Sequence, residues 1–190
     1  MIGVAGAVLV GGRSTRMGRD KALIEIDGIP MARRVAEVLR LAGCHPVFAV
    51  GPPELAAGLD VVGDQHPGEG PLGGILTALH AAPLQPVLVL ACDLLWIDAV
   101  TVGAVLAAAA EVGLEPAGSP VTPHVFMACA ARREPLCALW TPAARIELQR
   151  SFDAGERAVH RAAEHLVVRE VQVGAQGVTN VNAPHDLPSE

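Results

Sequence analysis

The amino-acid sequence predicts one α/β domain, a parallel sheet with helices packed on both faces. Two observations carry this. Uninterrupted apolar runs alternate with amphipathic segments over the first hundred residues, the pattern of parallel strands joined by helical crossovers. No linker, repeat or low-complexity tract divides the 190 residues, of which 51% are hydrophobic and 18% charged. A chain of that length and composition buries a core without metal or disulfide staples, so residues 1–190 are expected to fold as a single domain.

Val4 to Val10 is a continuous apolar run closed by Gly11 and Gly12, which suits a strand covered on both faces. Met31, Val35, Val38, Leu39 and Ala42 recur at helical intervals after Pro30, and Gly43 supplies the stop, so an amphipathic helix is expected from Pro30 to Ala42. Pro46 to Val50 reads as a second buried strand and Val61 with Val62 as a short strand-like piece. Residues 64–74 are turn-rich, Leu72 to Ala82 looks helical, and Val87 to Ala91 is an unbroken strand running into Cys92 and Asp93. The second half is less regular. Strands are expected over Val121 to Ala130, Leu136 to Trp140 and Leu166 to Val171, with helices near Pro142 to Arg150 and Glu156 to His165. The apolar stretch from Ala99 to Ala110 is interrupted by Thr101 and Gly103 and stops short of the ~18 residues a membrane span requires. The N-terminal run has no leading basic residues and no cleavage-like site, unlike a signal peptide. A soluble protein without membrane contact is expected.

Charge narrows the function. The formal net charge of −6 argues against a broad nucleic-acid surface, which needs many cations to displace counterions. Three Phe, two Trp and no Tyr argue against a base-stacking platform. Cys44, Cys92, Cys129 and Cys137 show neither C-x-x-C nor zinc-like spacing, which suggests reduced, mostly buried thiols in a cytosolic protein.

In parallel α/β sheets ligands bind at the carboxyl ends of the strands, which selects the loop after Val10, the turn around Asp64, and Asp93. Between Arg13 and Lys21 lie four cations and one carboxylate, a local net charge of +3, together with Ser14 and Thr15. Glycines after a strand let backbone N–H groups approach phosphates while hydroxyls and cations add donors, so a polyphosphate is the natural guest. A Walker A loop is excluded because Gly18 is followed by Arg19 and Asp20 rather than Lys. Gly68 to Gly73 matches G-x-G-x-x-G literally, yet it follows Asp64-Gln65-His66-Pro67 rather than a strand, which favours a tight turn feeding a helix. Asp93 closes a strand at the phosphate edge, where a carboxylate could bridge Mg²⁺ to phosphates or simply serve a turn or helix cap. Asp64 is similarly placed. Asn180 and Asn182 lie two apart, on one face if extended. His160 and His165, five apart, suit metal ligation poorly, and Cys92 reads as a small buried residue rather than a nucleophile.

With these residues the chain resembles the molybdenum cofactor guanylyltransferases of the nucleotidyltransferase superfamily. The resemblance rests on G-G-x-S-x-R-M-G-x-D-K at Gly11 to Lys21, Asp64, Gly70-Pro71-Leu72-x-Gly74, Cys92-Asp93, Pro135-Leu136, Ala154-Gly155-Glu156-Arg157 and Asn180-Val181-Asn182-Ala183-Pro184. It covers nearly the whole length and implies a single Rossmann-like three-layer α/β/α domain with a mostly parallel central sheet, of nucleotide-diphospho-sugar transferase type. It implies transfer of GMP from GTP to the terminal phosphate of molybdopterin cofactor with Mg²⁺, giving the guanine dinucleotide cofactor and pyrophosphate. A cytoplasmic monomer in transient contact with molybdenum cofactor delivery proteins is expected. Carried onto this sequence, the backbone at Leu9, Val10 and Gly11 meets the nucleotide, Lys21 binds its phosphates and Asp64 contributes to the same site; the physical reading of the loop adds Gly12, Arg13 and Arg16 around the same phosphate oxygens. Asp93 holds Mg²⁺, Asn180 and Asn182 line the pterin side, and Lys21, Asp93 and Arg16 form the catalytic set.

The departures bear on substrate. Val10 replaces the usual Ala before Gly-Gly, Ala49 stands where some relatives place an asparagine, Leu95 replaces a proline, and Glu134 stands where His often precedes Pro-Leu. Three other readings use the same residues. A cytidylyltransferase would prefer CTP, a sugar-phosphate nucleotidyltransferase would release pyrophosphate with a sugar phosphate, and a non-catalytic nucleotide-binding module would form no product.

Overall fold

The structure, a computed structural model, describes residues 3–11, 20–113, 124–181 and 183–187. Among the described residues nine strands and five α-helices follow in chain order: β1 (Ala5–Leu9), β2 (Glu25–Ile26), β3 (Ile29–Pro30), α1 (Met31–Leu41), β4 (Val47–Val50), β5 (Val61–Val62), α2 (Pro71–Ala81), β6 (Val87–Ala91), α3 (Ala99–Val112), β7 (Val125–Cys129), β8 (Arg133–Trp140), α4 (Pro142–Asp153), α5 (Val159–Ala162) and β9 (Val168–Gln172). Seven strands make the central sheet in the order β5-β4-β1-β6-β8-β7-β9, and β2 pairs with β3 in a separate hairpin. The ladders β5-β4, β4-β1, β1-β6 and β7-β9 are parallel; β8 runs against both neighbours. The expected mostly parallel sheet is present, with one strand reversed because β7 and β8 are joined by a tight turn too short for a crossover.

Two-residue periodicity splits the core. Val8, Leu88 and Leu90 face the layer of α1 and α3, whereas Ala5, Ala7, Leu9, Val87 and Val89 face α2, α4 and α5. Burial of each leucine such as Leu88 stabilises the domain by about 1.5–3 kcal/mol. Small residues set the spacing of the layers. A Cβ on Gly6 would lie 3.1 Å from Leu39 Cδ1 and Val47 Cγ2, so α1 rests directly on β1.

Most predicted elements appear with ends shifted by a residue or a few; of the strand expected from Val121, residues 121–123 lie outside the described residues. Two differences have clear causes. The run from Ala99 to Ala110 is the core of helix α3, whose buried residues Thr101, Val102, Val105, Ala108 and Ala109 keep a helical period; its exposed face is equally apolar, so polarity does not mark that period. The stretch from Glu156 to His165 is helical only from Val159, because the Glu156 carboxylate folds forward onto the N–H groups of Arg157 and Ala158 and holds those residues in a turn before the helix.

The helices α1 and α3 lie on the same face, yet β1 leads through α1 toward β4 whereas β6 leads through α3 toward the β7–β8 hairpin. The carboxyl ends of β1 and β6 therefore flank a topological switch point, where such folds open a crevice.

Candidate active site at the carboxyl edge of the sheet

Ladder hydrogen bonds persist one residue beyond the strands at this edge: Val10 N–H to the Val50 carbonyl at 3.0 Å, Gly51 N–H to Val62 at 3.2 Å and Cys92 N–H to Leu9 at 3.2 Å. Leu9 and Val10 bury their side chains. Of the backbone expected to meet a nucleotide, the Val10 N–H and one lone pair of the Leu9 carbonyl are thus already engaged; the Val10 carbonyl and Gly11 remain among the described residues. Gly51, with φ of 144°, supports Gly11 from below, and a Cβ there would fall 2.9 Å from Val10 Cγ2 and 3.1 Å from Gly11 N. No side chain fits that position.

Lys21 and Asp93, seventy-two positions apart, meet here. Lys21 Nζ lies 2.8 Å from Asp93 Oδ2, with 17% and 19% of the two side chains exposed. Lys21 opens a short 3₁₀ turn that ends at Leu23, and Asp93 follows β6. A small apolar cluster of Ile24, Met31, Leu95 and Val181 ties the lysine turn, the loop after β6 and the C-terminal segment into one unit. The Val181 N–H donates to the Asp93 carbonyl at 2.9 Å, placing Asn180 beside the end of β6. The Asn180 Oδ1 is buried and has no hydrogen-bond partner among the described residues, an open acceptor of the kind proteins seldom leave idle.

Asp64 occupies a different part of the edge. It follows β5, the strand at the sheet margin three places from β6. Its Oδ1 accepts from the His66 N–H at 2.9 Å and lies 3.2 Å from the buried Thr77 hydroxyl, which is also 2.9 Å from the Gly73 carbonyl. That is a turn-forming aspartate tied to α2. The glycine-rich stretch is the turn expected: Gly70, φ 80°, precedes Pro71 at the first position of α2, which has no side-chain cap. Pro71 has no N–H and the Gly73 N–H donates to the Gly70 carbonyl at 3.2 Å, so what this helix start offers an anion is the positive end of its dipole. Gly12, Arg13, Arg16 and Asn182, predicted for the same site, lie outside the described residues.

Glu134 was legible only as a departure from a family pattern; the structure makes it part of the edge. It is the second residue of β8, with 9% of its surface exposed, where the β7–β8 register breaks between Met127 and Ala128. Burial pushes its carboxyl above the usual carboxylate range; the Leu136 N–H and Arg132 pull it back, and the Asp93 charge raises it further. Acidic side chains are seldom buried, so nothing in residue type announces this one. Trp96, three residues past Asp93, is 39% exposed. Cys92 is no nucleophile, because burial pushes its thiol up to about 12.

Among the described residues no three His, Cys, Asp or Glu side chains gather as a metal cage. The donor set still fits Mg²⁺ arriving with a nucleotide, since that ion commonly takes one or two carboxylates and completes its shell with phosphates and water. Asp93 is the carboxylate in position.

A family described as MobA-like NTP transferase domain matches residues 6–168. A protein named probable molybdenum cofactor guanylyltransferase from Opitutus terrae is 35% identical over 200 residues, covering 98% of this chain and 94% of that protein. The molybdenum cofactor guanylyltransferase of Rhodobacter capsulatus is 28% identical over 196 residues, 97% of this chain and 93% of its own. The molybdopterin-guanine dinucleotide biosynthesis protein A of Archaeoglobus fulgidus superposes with a TM-score of 0.74 at 23% identity, covering 96% of this chain and 94% of that one.

Proposed function

The chain belongs to the MobA-like NTP transferase family, within the molybdenum cofactor guanylyltransferases, and from that premise we propose that it transfers GMP from GTP to the terminal phosphate of molybdopterin cofactor. The supporting observation is the meeting of Lys21 and Asp93 at 2.8 Å on the switch-point edge. An ammonium that binds phosphate oxygens and a carboxylate that holds a divalent cation are the two groups such a transfer needs in one place.

In the proposed reaction an oxygen of the acceptor's terminal phosphate attacks the α-phosphorus of GTP in line. The bond from that phosphorus to the bridging oxygen breaks, and pyrophosphate leaves with the electron pair. No protein nucleophile takes part. Lys21 exchanges its carboxylate partner for phosphate oxygens and offsets charge gathering on the departing pyrophosphate; Arg13 and Arg16 are assigned to the same oxygens. Asp93 would hold Mg²⁺, which when bound neutralises nonbridging phosphate oxygens. Gly11 supplies backbone close to the phosphates, Asp64 orders the nucleotide side, and the open Asn180 Oδ1 accepts an N–H from the pterin. Positioning and charge neutralisation then carry the rate.

The test is a turnover matrix of GTP and CTP against molybdopterin and a sugar phosphate, run with wild type, Lys21→Ala and Asp93→Ala. GTP with molybdopterin is expected to be preferred, and each variant to lose about 10²–10³-fold in kcat while staying folded. Near-normal turnover by a folded Asp93→Ala protein overturns the metal assignment, and preference for CTP overturns the choice of base.

A further inference from the structure

The Gly155-Glu156-Arg157 segment carries much of the family resemblance, yet it lies on the α4–α5 connection rather than on the loops that bear Lys21 and Asp93. Glu156 has a local task. Its Oε1 accepts from the N–H groups of Arg157 and Ala158, both at 2.7 Å, and Arg161 pairs with the same carboxylate. Arg157 reaches further. Its Nε pairs with Glu69, its Nη1 donates to the Phe152 and Glu156 carbonyls at 2.8 and 2.9 Å, and its guanidinium carbon sits 3.9 Å from the centroid of the Phe152 ring. The His66 ring lies beside the same phenyl, centroid to centroid 4.5 Å and tilted by 49°.

Both Glu69 and His66 belong to the segment between β5 and α2, which is tied to α2 at its start, where Asp64 and the Gln65 N–H meet the Thr77 hydroxyl at 3.2 and 3.1 Å. The two-residue strand β5 is at the sheet margin, and no regular element occupies residues 63–70. Past Gln65 the order of the segment runs through His66: its N–H meets Asp64, its carbonyl accepts from Glu69 N–H at 3.1 Å, and a Cβ on Gly73 would strike its Cβ at 2.7 Å.

We propose that Arg157 is a positioning residue that, with Phe152, clamps the segment from Asp64 to Gly70 and thereby fixes Asp64 and the start of α2 against the nucleotide. The proposal rests on the nucleotide reading of Asp64 given above. Arginine suits the task because one planar fork makes an ion pair, two carbonyl bonds and a ring stack at once, which a lysine cannot.

The experiment compares Glu69→Gln, Arg157→Gln, their double variant and Arg157→Lys by amide hydrogen exchange without ligand, GTP titration and steady-state kinetics. Each glutamine variant is expected to speed exchange across residues 65–73 and to weaken GTP binding about tenfold, with kcat within about twofold at saturation. The double variant is expected to be no worse than the poorer single one, as for two residues acting through one contact. Arg157→Lys is expected to recover part of the loss. Unchanged exchange in both single variants overturns the clamp. So does a loss of kcat in Arg157→Gln that Glu69→Gln does not share, which would place Arg157 on the acceptor itself. If Arg157→Gln does not fold, the exposed Glu69→Gln decides the matter alone. A folded wild type that binds no GTP overturns the nucleotide reading, and exchange still decides the clamp.

Discussion

Glu134 shows how much a single residue type can conceal. The buried carboxyl ionises at higher pH in the folded chain than in the unfolded one, so its contribution to stability is fully present below the ordinary carboxylate range and is lost as pH rises through the folded value. Replacing it with glutamine removes that loss. Glu134→Gln is expected to match wild type in Tm near about pH 4 and to exceed it near about pH 7, and thermal melts at the two pH values check this. Equal melting temperatures at both would mean the carboxylate is comfortably paired. Lys21 and Asp93 were legible in the sequence because each sits in a patterned neighbourhood, a basic glycine loop and a strand end. The burial of Glu134 and the idle oxygen of Asn180 depend instead on a bulge in β8 and on one backbone bond from Val181 to Asp93, which residue spacing does not encode.

At the scale of elements, buried strands were the most readable part, because a strand covered on both faces is an unbroken apolar run. The same uniformity hid α3. Its start is marked by Asp98, whose carboxylate accepts from the Thr101 N–H at 2.7 Å and is held below the usual carboxylate range by that bond and the Thr101 side chain. Asp98→Ala is expected to destabilise the protein by about 1 kcal/mol in urea unfolding at neutral pH. Because a lowered carboxyl lends stability above its unfolded pKa and loses it as pH falls through the folded value, the difference from wild type should shrink in acid. An undiminished gap there would assign the loss to packing rather than to the charge. The β2–β3 hairpin was missed for another reason. Its strands are two residues each, too short for alternation to register, although Asp27 and Gly28, φ 52° and 73°, form the tight turn that this dipeptide favours.

For the molecule as a whole, the two-layer core and the single reversed strand decide what can be reached. All four cysteines are free and buried, and burial pushes Cys44 up to about 11 and Cys92 and Cys137 up to about 12. Little thiolate therefore exists at neutral pH. Cys44, Cys92 and Cys137 are expected to resist iodoacetamide in the native protein at about pH 8 over hours and to be labelled once it is denatured; rapid native labelling of Cys92 would show that the edge beside Asp93 opens. The overall acidity seen in composition coexists with a lysine, Lys21, held against Asp93 at the edge of the sheet, so net charge describes the shell of this protein and not its site. The order of strands could not be read from the chain, because pairing β8 against β6 rather than extending the parallel series is settled by the turn at residues 130–132 and the packing around it.

The half-exposed Trp96 has a practical consequence. The chain contains no tyrosine and only two tryptophans, so nearly all its ultraviolet emission comes from two indoles in opposite surroundings. Trp140 is sealed in the core with no partner for its Nε1 among the described residues, and should glow blue and constant. Trp96 shares a loop with Asp93 and meets solvent, making it an intrinsic fluorophore through which filling of the edge can be watched in the unlabelled wild-type protein.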